Sequence, residues 1–230
     1  MNHAEKFAGD KKVGTSILHK PEQYFIRSAL PWVPKWLQTY HLTLASVPIS
    51  ICIIVFSFLA VQNITWLWGV SAMIFLQWIT DSLDGAVGRH RNTGLIRWGY
   101  YMDHLLDYFF LASIMIGYMI LLPDQSKWIF FFVFALTSGF MVNSFLTMAA
   151  SNKFRIAHLG IGPTEIRLIF IVINALLLLF GKTYLSAILP CILIFSLIGL
   201  CIVVYRTQRE IWEIDMRDKR ENLKLKSKKS

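Results

Sequence analysis

"ITDSLDGAVGRHRNTGLIRWGYYMDHLLDYFF" (residues 79–110) places four aspartates, Asp81, Asp84, Asp103 and Asp107, between long apolar segments. The chain around this stretch has 230 residues, of which 55% are hydrophobic, and its mean hydropathy is +0.51. That composition is typical of membrane proteins rather than of soluble domains. Because a carboxylate at the centre of a spanning helix costs roughly 2.5–3.5 kcal/mol, the four aspartates call for a functional explanation.

Long runs without Asp, Glu, Lys or Arg predict membrane-spanning helices. They extend over residues 36–80, 128–152 and 183–205. A helix of about 20 apolar residues crosses the hydrocarbon core of a bilayer, so the first run is long enough for two crossings. We therefore predict an all-α integral membrane protein with six transmembrane helices, at residues 41–62, 64–87, 96–122, 127–150, 163–181 and 183–205.

The basic residues predict the orientation of these helices. If the N-terminus faces the cytoplasm, all of the 23 lysines and arginines except Lys127 and Lys182 fall on the cytoplasmic side. Cytoplasmic loops carry an excess of these residues, so we expect both termini and the aspartates to face the cytoplasm. Residues 21–37 mix aromatic, apolar and basic side chains, which predicts an amphipathic helix at the membrane interface. We divide the chain into an N-terminal segment, a six-helix domain and a basic tail, residues 1–40, 41–205 and 206–230.

The net charge of +9 does not indicate nucleic-acid binding. The basic run at residues 217–230 contains no aromatic residue and follows a predicted membrane helix, so attraction to anionic lipid headgroups and control of topology explain it. The lipid bilayer is thus an expected partner and nucleic acid is not. Cys52, Cys191 and Cys201 all fall in predicted spanning segments, which argues against disulfide bonds and zinc.

The spacing of the four aspartates predicts a metal site. Asp81 and Asp84 are three residues apart, and Asp103 and Asp107 are four apart, so each pair lies on one face of its helix. A short loop joins the two helices, which places both pairs at the same depth. Carboxylates that converge from two helices suit a hard divalent cation, and four of them are enough for two ions. A position at the membrane interface would explain any one of these aspartates, but it explains all four at helical spacing poorly.

Small residues and an arginine beside Asp84 refine the predicted ligand. Gly85 and Gly88 leave the helix surface bare, so that a bulky group can approach the backbone. Arg89 follows at a position from which it can contact phosphate oxygens. Divalent ions, bare backbone and an arginine together predict a bound diphosphate. Gly99, on the next helix, also has a structural interpretation, which is tight packing of the two helices.

The stretch resembles the signature of the CDP-alcohol phosphatidyltransferases, integral membrane enzymes of phospholipid synthesis with the pattern D-x2-D-G-x2-A-R-x8-G-x3-D-x3-D. Seven of the eight specified residues are present, namely Asp81, Asp84, Gly85, Arg89, Gly99, Asp103 and Asp107. Gly88 replaces the alanine, and the spacer has nine residues instead of eight. The resemblance extends over about residues 31–205, and residues 31–46 are similar, more weakly, to the segment with which the family domain begins.

The resemblance implies a reaction in which a hydroxyl attacks the β-phosphorus of a CDP-linked substrate and CMP leaves. It implies Mg²⁺ or Mn²⁺ as the cofactor, two ions, held by Asp81, Asp84, Asp103 and Asp107. The implied CDP-binding residues are Asp81, Gly85, Gly88 and Arg89. Asp107 would either hold the second ion or act as the general base. Family members are commonly homodimers, so a second copy of the chain is an expected partner.

Two short motifs favour one branch of the family. "DHLLD" (residues 103–107) is similar to the Asp-His pairing of the choline and ethanolamine phosphotransferases, which join CDP-choline or CDP-ethanolamine to diacylglycerol. "GPTE" (residues 162–165) resembles a segment in those enzymes whose glutamate is implicated in catalysis. His104 and Glu165 are therefore candidates for a proton-accepting pair. Each has a structural alternative: His104 as an interfacial residue bound to phosphate, and Glu165 as a partner of the helix dipole behind Pro163.

Two other functions remain open. In the second branch of the family, CDP-diacylglycerol reacts with a small polar alcohol such as inositol or glycerol phosphate, and Lys153, Arg155 and Arg167 would bind a phosphorylated acceptor or would only set the topology. A cation transporter also places carboxylates within the membrane. Transporter sites, however, lie near the bilayer midplane between repeats, whereas these aspartates are predicted at the cytoplasmic helix ends.

Overall fold

The computed structural model describes residues 11–13, 17–151, 153–155, 162–181 and 183–227. Its helices are α1 (His19–Ala29), α2 (Thr39–Leu44), α3 (Ser46–Gln62), α4 (Leu67–His90), α5 (Ile96–Leu121), α6 (Asp124–Ser151), α7 (Pro163–Phe180) and α8 (Thr183–Ser227). Short 3-10 turns lie at Leu30–Trp32 and Ile64–Trp66. The three-residue strands β1 (Lys11–Val13) and β2 (Lys153–Arg155) pair in parallel. Apart from this strand pair the described chain is helical where it is regular, which confirms the all-α class.

Five helical segments of the described chain are long and apolar enough to cross a membrane: Thr39–Gln62, Ile96–Leu121, Asp124–Ser151, Pro163–Phe180 and Ser186–Lys226. The chain is thus an integral membrane protein. The predicted second crossing does form a helix, α4, but α4 is not among the five. Its C-terminal half carries Gln77, Thr80, Asp81 and Asp84, which lower its hydropathy. The count of six crossings therefore stays a prediction.

The helix ends follow the expected local chemistry, with one exception. α7 begins with Pro163 at its first position, where a missing N–H costs nothing. The predicted interfacial segment, residues 21–37, contains most of α1 and the 3-10 turn that follows it. The exception is α8, which continues without interruption past the predicted end at residue 205 to Ser227. Its charged second half is supported by pairs on the helix surface such as Arg209 and Glu213, whose Nε and Oε1 atoms are 3.2 Å apart.

The main apolar core lies between α3, α4, α5 and α7, and it contains the fully buried residues Ile53, Ile74 and Ile114. α3 and α5 approach closely, because a Cβ atom at Gly117 would collide with the Oγ of Ser57. α6 packs mainly against α8 and lies at the side of this core. The C-terminal end of α4 and the N-terminal ends of α5 and α7 therefore lie within one bundle.

A set of uncharged polar side chains crosses this core. Asn174 on α7 is completely buried, and its Nδ2 donates a hydrogen bond of 3.0 Å to the Oγ of Ser71 on α4. Its Oδ1 accepts a bond of 2.8 Å from the Tyr118 hydroxyl on α5, which also lies 3.2 Å from the carbonyl of Phe170. We call Ser71, Tyr118 and Asn174 the neutral network. It joins three helices through satisfied hydrogen bonds, as a buried polar group requires.

Candidate active site

A tight turn between α4 and α5 positions the candidate residues. Asn92 and Gly94 have positive φ angles of 51° and 71°, and the Thr93 amide donates to the Gly88 carbonyl over 3.2 Å. Asparagine and glycine are the residues that most readily adopt this conformation. The turn joins the end of α4 at His90 to the start of α5 at Ile96 within a few residues, so the connection is short, as predicted.

Three of the four predicted aspartates come together at this end of the bundle. Asp81, Asp103 and Asp107 each place one carboxylate oxygen within 4.8 Å of the others. Their side chains are 20%, 35% and 27% exposed, so the group is recessed but accessible. We call these three residues the aspartate cluster. Carboxylate oxygens at this spacing are the ligands that Mg²⁺, Mn²⁺ and Ca²⁺ prefer, so the cluster fits a divalent cation.

The fourth aspartate, Asp84, is held by α2. It is 9% exposed, and its Oδ2 accepts a hydrogen bond of 3.0 Å from the hydroxyl of Thr43. Its main-chain carbonyl accepts a bond of 2.6 Å from the hydroxyl of Thr39. The sequence analysis did not assign either threonine to the site, although their spacing of four residues places both on one face of a helix. α2 thus anchors the part of α4 that carries the candidate ligands.

Arg167 on α7 reaches into the aspartate cluster. Its Nη2 lies 2.9 Å from the Oδ2 of Asp81 and 3.2 Å from the Oδ1 of Asp107. The residue is 5% exposed, and its guanidinium lies 5.7 Å from the centre of the Phe110 ring. The sequence analysis considered this arginine only as an acceptor ligand or a topology determinant. The sequence did contain a signal for a functional site: Arg167 is a charged residue within a spanning helix, two positions after Glu165.

The candidate donor-binding residues have different surroundings. A Cβ atom at Gly85 would lie 3.3 Å from Nη1 of Arg89, so the Arg89 side chain lies across the bare backbone. At Gly88 a Cβ atom would lie 3.2 Å from the Thr39 hydroxyl, so this glycine faces α2. At Gly99 no atom of the described residues lies within 4 Å of a Cβ position. The interpretation of Gly99 as a site of tight helix packing is therefore wrong, and its backbone borders open space one turn before Asp103.

The two candidate proton acceptors also differ. The Nδ1 of His104 lies 3.7 Å from the Oδ2 of Asp103, and the His104 side chain is 12% exposed. The imidazole packs against two rings, with centroid distances of 4.3 Å to Tyr100 and 5.6 Å to Phe145. His104 thus lies directly beside a residue of the aspartate cluster.

Glu165 makes the contacts of a helix cap. Its Oε2 accepts a bond of 2.8 Å from the Gly162 amide, and its Oε1 accepts one of 2.7 Å from the Leu18 amide. The neighbouring Thr164 hydroxyl donates to the Oε2 of Glu22 over 2.8 Å. These bonds join the N-terminal segment to the start of α7. They correspond to the structural alternative considered for Glu165.

Other basic residues near the site hold main-chain groups or lie outside the described side chains. The guanidinium of Arg91 donates to four carbonyls of the preceding segment, those of Val33, Pro34, Lys35 and Leu37. Arg91 therefore fixes the loop that leads into α2. Lys153 and Arg155 form β2, and their side chains are outside the described part of the structure.

Comparison with known families decides the class of the protein. The sequence model described as CDP-alcohol phosphatidyltransferase matches residues 37–203. The chain belongs to the CDP-alcohol phosphatidyltransferase family. No curated protein and no solved structure gives a significant match. The matched region runs from the loop before α2 into α8 and includes all the candidate residues.

As a CDP-alcohol phosphatidyltransferase, the protein transfers a phosphoalcohol group from a CDP-alcohol to an acceptor, and it is an enzyme of phospholipid biosynthesis. Enzymes of this family use divalent metal ions, in agreement with the chemistry of the aspartate cluster. Membership of the family decides between an enzyme and a cation transporter in favour of the enzyme.

Proposed function

We propose that this transferase moves phosphocholine or phosphoethanolamine from its CDP-linked form to the hydroxyl of diacylglycerol, with release of CMP. The observation that carries the proposal is the position of His104, with its Nδ1 3.7 Å from Asp103. An alcohol is a poor nucleophile unless a base accepts its proton in the transition state, and such a base contributes typically 10² to 10⁴-fold. An imidazole beside the aspartate cluster is the proposed base.

The aspartate cluster is the proposed cofactor site. Asp81, Asp103 and Asp107 would bind Mg²⁺ or Mn²⁺ through one oxygen each. Asp84, whose Oδ2 accepts a hydrogen bond from Thr43, would be the fourth carboxylate of a set for two ions. When bound, the ions would supply charge neutralisation for the diphosphate and for the departing CMP. The protein itself contributes the position of these carboxylates, which come from α4 and α5.

The surface beside the cluster is the proposed CDP site. Arg89 lies across Gly85, so its guanidinium is available at the edge of bare backbone. Open space at Gly99 leaves room for a ligand on the facing helix. Asp81 and Gly88 complete the proposed set of CDP-binding residues. Gly88 would act indirectly, because its bare backbone allows Thr39 to approach closely. An arginine fork at this place suits phosphate oxygens.

The proton acceptor is proposed to be His104 rather than Asp107. The Oδ1 of Asp107 is in contact with the guanidinium of Arg167 at 3.2 Å, which suits a charged ligand residue. Glu165 was proposed from the sequence as the partner of His104. Because each of its carboxylate oxygens accepts a main-chain N–H, we propose that it acts indirectly, by holding the start of α7 and therefore Arg167 in place.

The acceptor is proposed to be an uncharged hydroxyl. An acceptor that carries a phosphate needs a cation that faces it, and Arg167, the candidate whose side chain the structure describes, is buried against Asp81 and Asp107. This arrangement supports diacylglycerol over a phosphorylated polar alcohol. We further propose that both termini and the site face the cytoplasm, because the lysines and arginines are distributed as the positive-inside rule requires, and that the enzyme is a homodimer.

An assay with three radiolabelled donors tests the proposed reaction. The purified enzyme is incubated with CDP-choline, CDP-ethanolamine or CDP-diacylglycerol and with a panel of acceptors that includes diacylglycerol, inositol and glycerol phosphate. We expect labelled phospholipid from CDP-choline or CDP-ethanolamine with diacylglycerol. Product formed only from CDP-diacylglycerol and a water-soluble alcohol would reject the proposal in favour of the second branch. The Asp103→Asn variant is the control for background transfer.

A further inference from the structure

Arg167 is the feature of the site that the reaction described above leaves without a role. A single nitrogen, Nη2, contacts carboxylates from two different helices, Asp81 on α4 and Asp107 on α5. The arginine itself comes from a third helix, α7, and is 5% exposed. Its Nε is buried without a hydrogen-bond acceptor among the described residues. A buried guanidinium with an unused donor is a poor device for stability alone, because each unmade bond retains its desolvation cost.

The charges of the cluster explain why an arginine is needed there. Three carboxylates with oxygens within 4.8 Å of one another repel strongly when no cation is bound. A guanidinium cannot lose its proton under physiological conditions, so Arg167 is a permanent positive charge at this point. It offsets the repulsion between Asp81 and Asp107 in the metal-free enzyme.

The same contacts leave room for a metal ion. A carboxylate has two oxygens and about four lone-pair sites, so an aspartate can accept from a guanidinium and bind an ion at the same time. Groups that hold metal ligands from outside commonly set both their orientation and the affinity of the site. A fixed positive charge next to the ligands also opposes the binding of a further cation.

We propose that Arg167 is a positioning residue that serves as the built-in counter-cation of the aspartate cluster. It offsets the repulsion between Asp81 and Asp107 before metal arrives, and its fixed charge limits the affinity of the cluster for divalent ions. This inference rests on the proposed metal site. The inference goes beyond that site because it assigns an arginine of α7 to the control of metal binding.

Metal binding to the purified full-length chain tests the inference directly. Mn²⁺ affinity is measured from the electron paramagnetic resonance signal of the free ion, and the melting temperature is measured in EDTA and in Mn²⁺. For Arg167→Gln we expect Mn²⁺ binding that is roughly fivefold or more tighter than in the wild type, a usual size for coupling between two ligands of one site. We also expect a lower melting temperature in EDTA and a larger gain on adding Mn²⁺. Arg167→Lys, which keeps the charge, should stay close to the wild-type affinity.

Two further variants make the result decisive. Arg209→Gln removes an exposed arginine that is paired with Glu213 on α8, and it should leave the Mn²⁺ affinity unchanged. The double variant Asp107→Asn/Arg167→Gln removes the cation together with one of its partners. Its melting temperature in EDTA should therefore be higher than that of Arg167→Gln alone. This comparison remains available if the single variant is too unstable to titrate.

The outcomes separate the inference from the proposed function. Unchanged or weaker Mn²⁺ binding in Arg167→Gln, or a double variant that melts no higher than the single one, would overturn the role of Arg167 as counter-cation. Failure of the wild-type enzyme to bind Mn²⁺ would instead overturn the proposed metal site itself. A purely structural arginine would lower the melting temperature equally in EDTA and in Mn²⁺, which would also reject the inference.

Discussion

The helical bundle contains two polar clusters that are built on the same helices and differ in charge. The neutral network of Ser71, Tyr118 and Asn174 joins α4, α5 and α7 in the apolar core, and Asn174 is completely buried. The aspartate cluster lies toward the other end of the same three helices, where Arg167 replaces Asn174 as the residue that α7 supplies. The first cluster completes its own hydrogen bonds, whereas the second leaves carboxylates exposed to a ligand. One bundle thus contains a structural polar cluster and the proposed metal site at different depths.

The largest expected effect comes from the ligands of the aspartate cluster. Asp81→Asn and Asp103→Asn should each abolish transfer while the protein remains folded, because each change removes a charged metal ligand. EDTA should have the same effect on the wild type. The measurement is release of CMP from the CDP-linked donor, with size-exclusion elution as the test of folding. Asp124→Asn is the matched control, since Asp124 is exposed and paired only locally with Lys127. Transfer that persists in EDTA or in both cluster variants contradicts the metal site.

The next largest effect is expected at the proposed base. His104→Ala should lower kcat by about 10² to 10⁴-fold with little change in the KM for the donor, because the imidazole acts on the proton and not on the nucleotide. Glu165→Gln should instead lower the melting temperature, because it weakens the bonds that hold Leu18 and Gly162. Steady-state kinetics and thermal denaturation of the two variants check this contrast.

A different result would move the assignment to Asp107. Near-normal turnover in His104→Ala, together with an Asp107→Asn variant that is inactive but still binds nucleotide, would make Asp107 the general base. The main reason for preferring diacylglycerol as the acceptor would then be lost. A selective loss of kcat in Glu165→Gln, without a change in melting temperature, would restore Glu165 as a partner of His104.

A smaller effect is expected at the proposed CDP site. Gly85→Ala adds a methyl group 3.3 Å from Nη1 of Arg89, so the guanidinium must shift away from its place on the helix. Loss of one hydrogen bond to a charged group typically costs about 1.5–3 kcal/mol, so the KM for the donor should rise by about tenfold or more. Gly199→Ala is the control, because its Cβ atom would make an ordinary contact of 3.4 Å with Phe140. An unchanged KM in Gly85→Ala would remove Arg89 from the donor site.

The smallest effect on catalysis is expected in the neutral network. Asn174→Leu leaves the Tyr118 hydroxyl and the Ser71 hydroxyl without their shared partner, which should cost about 1 kcal/mol of stability. Turnover per folded molecule should change little, because this network contacts none of the proposed substrate groups. Thermal denaturation and activity of the same preparation test both parts. A loss of turnover as large as that in the cluster variants would show that the two clusters are coupled.

Much of the fold could be predicted because its signals are local. Uncharged runs located the long helices to within a few residues, and the spacing of three or four residues placed each aspartate pair on one helix face. One position that failed depends on neighbours in the fold: Gly99 was expected to face a packed helix, and it faces open space among the described residues. The other failure is local. The end of α8 was expected at residue 205, where the apolar run ends, but pairs four residues apart such as Arg209 and Glu213 support its continuation as a helix to Ser227.

By itself the sequence determined the class of the protein, the convergence of α4 and α5, and the oxygen-rich chemistry between them, since periodicity and a short turn specify these features. Only the tertiary structure decided that Arg167, 60 residues from Asp107, enters the aspartate cluster, and that Thr43 holds Asp84. It also decided that Glu165 binds the main chain of Leu18, 147 residues away. The physical reason is that these contacts depend on which faces of α2, α4 and α7 pack together. That choice is set by the shape of the whole apolar core, which no local pattern encodes.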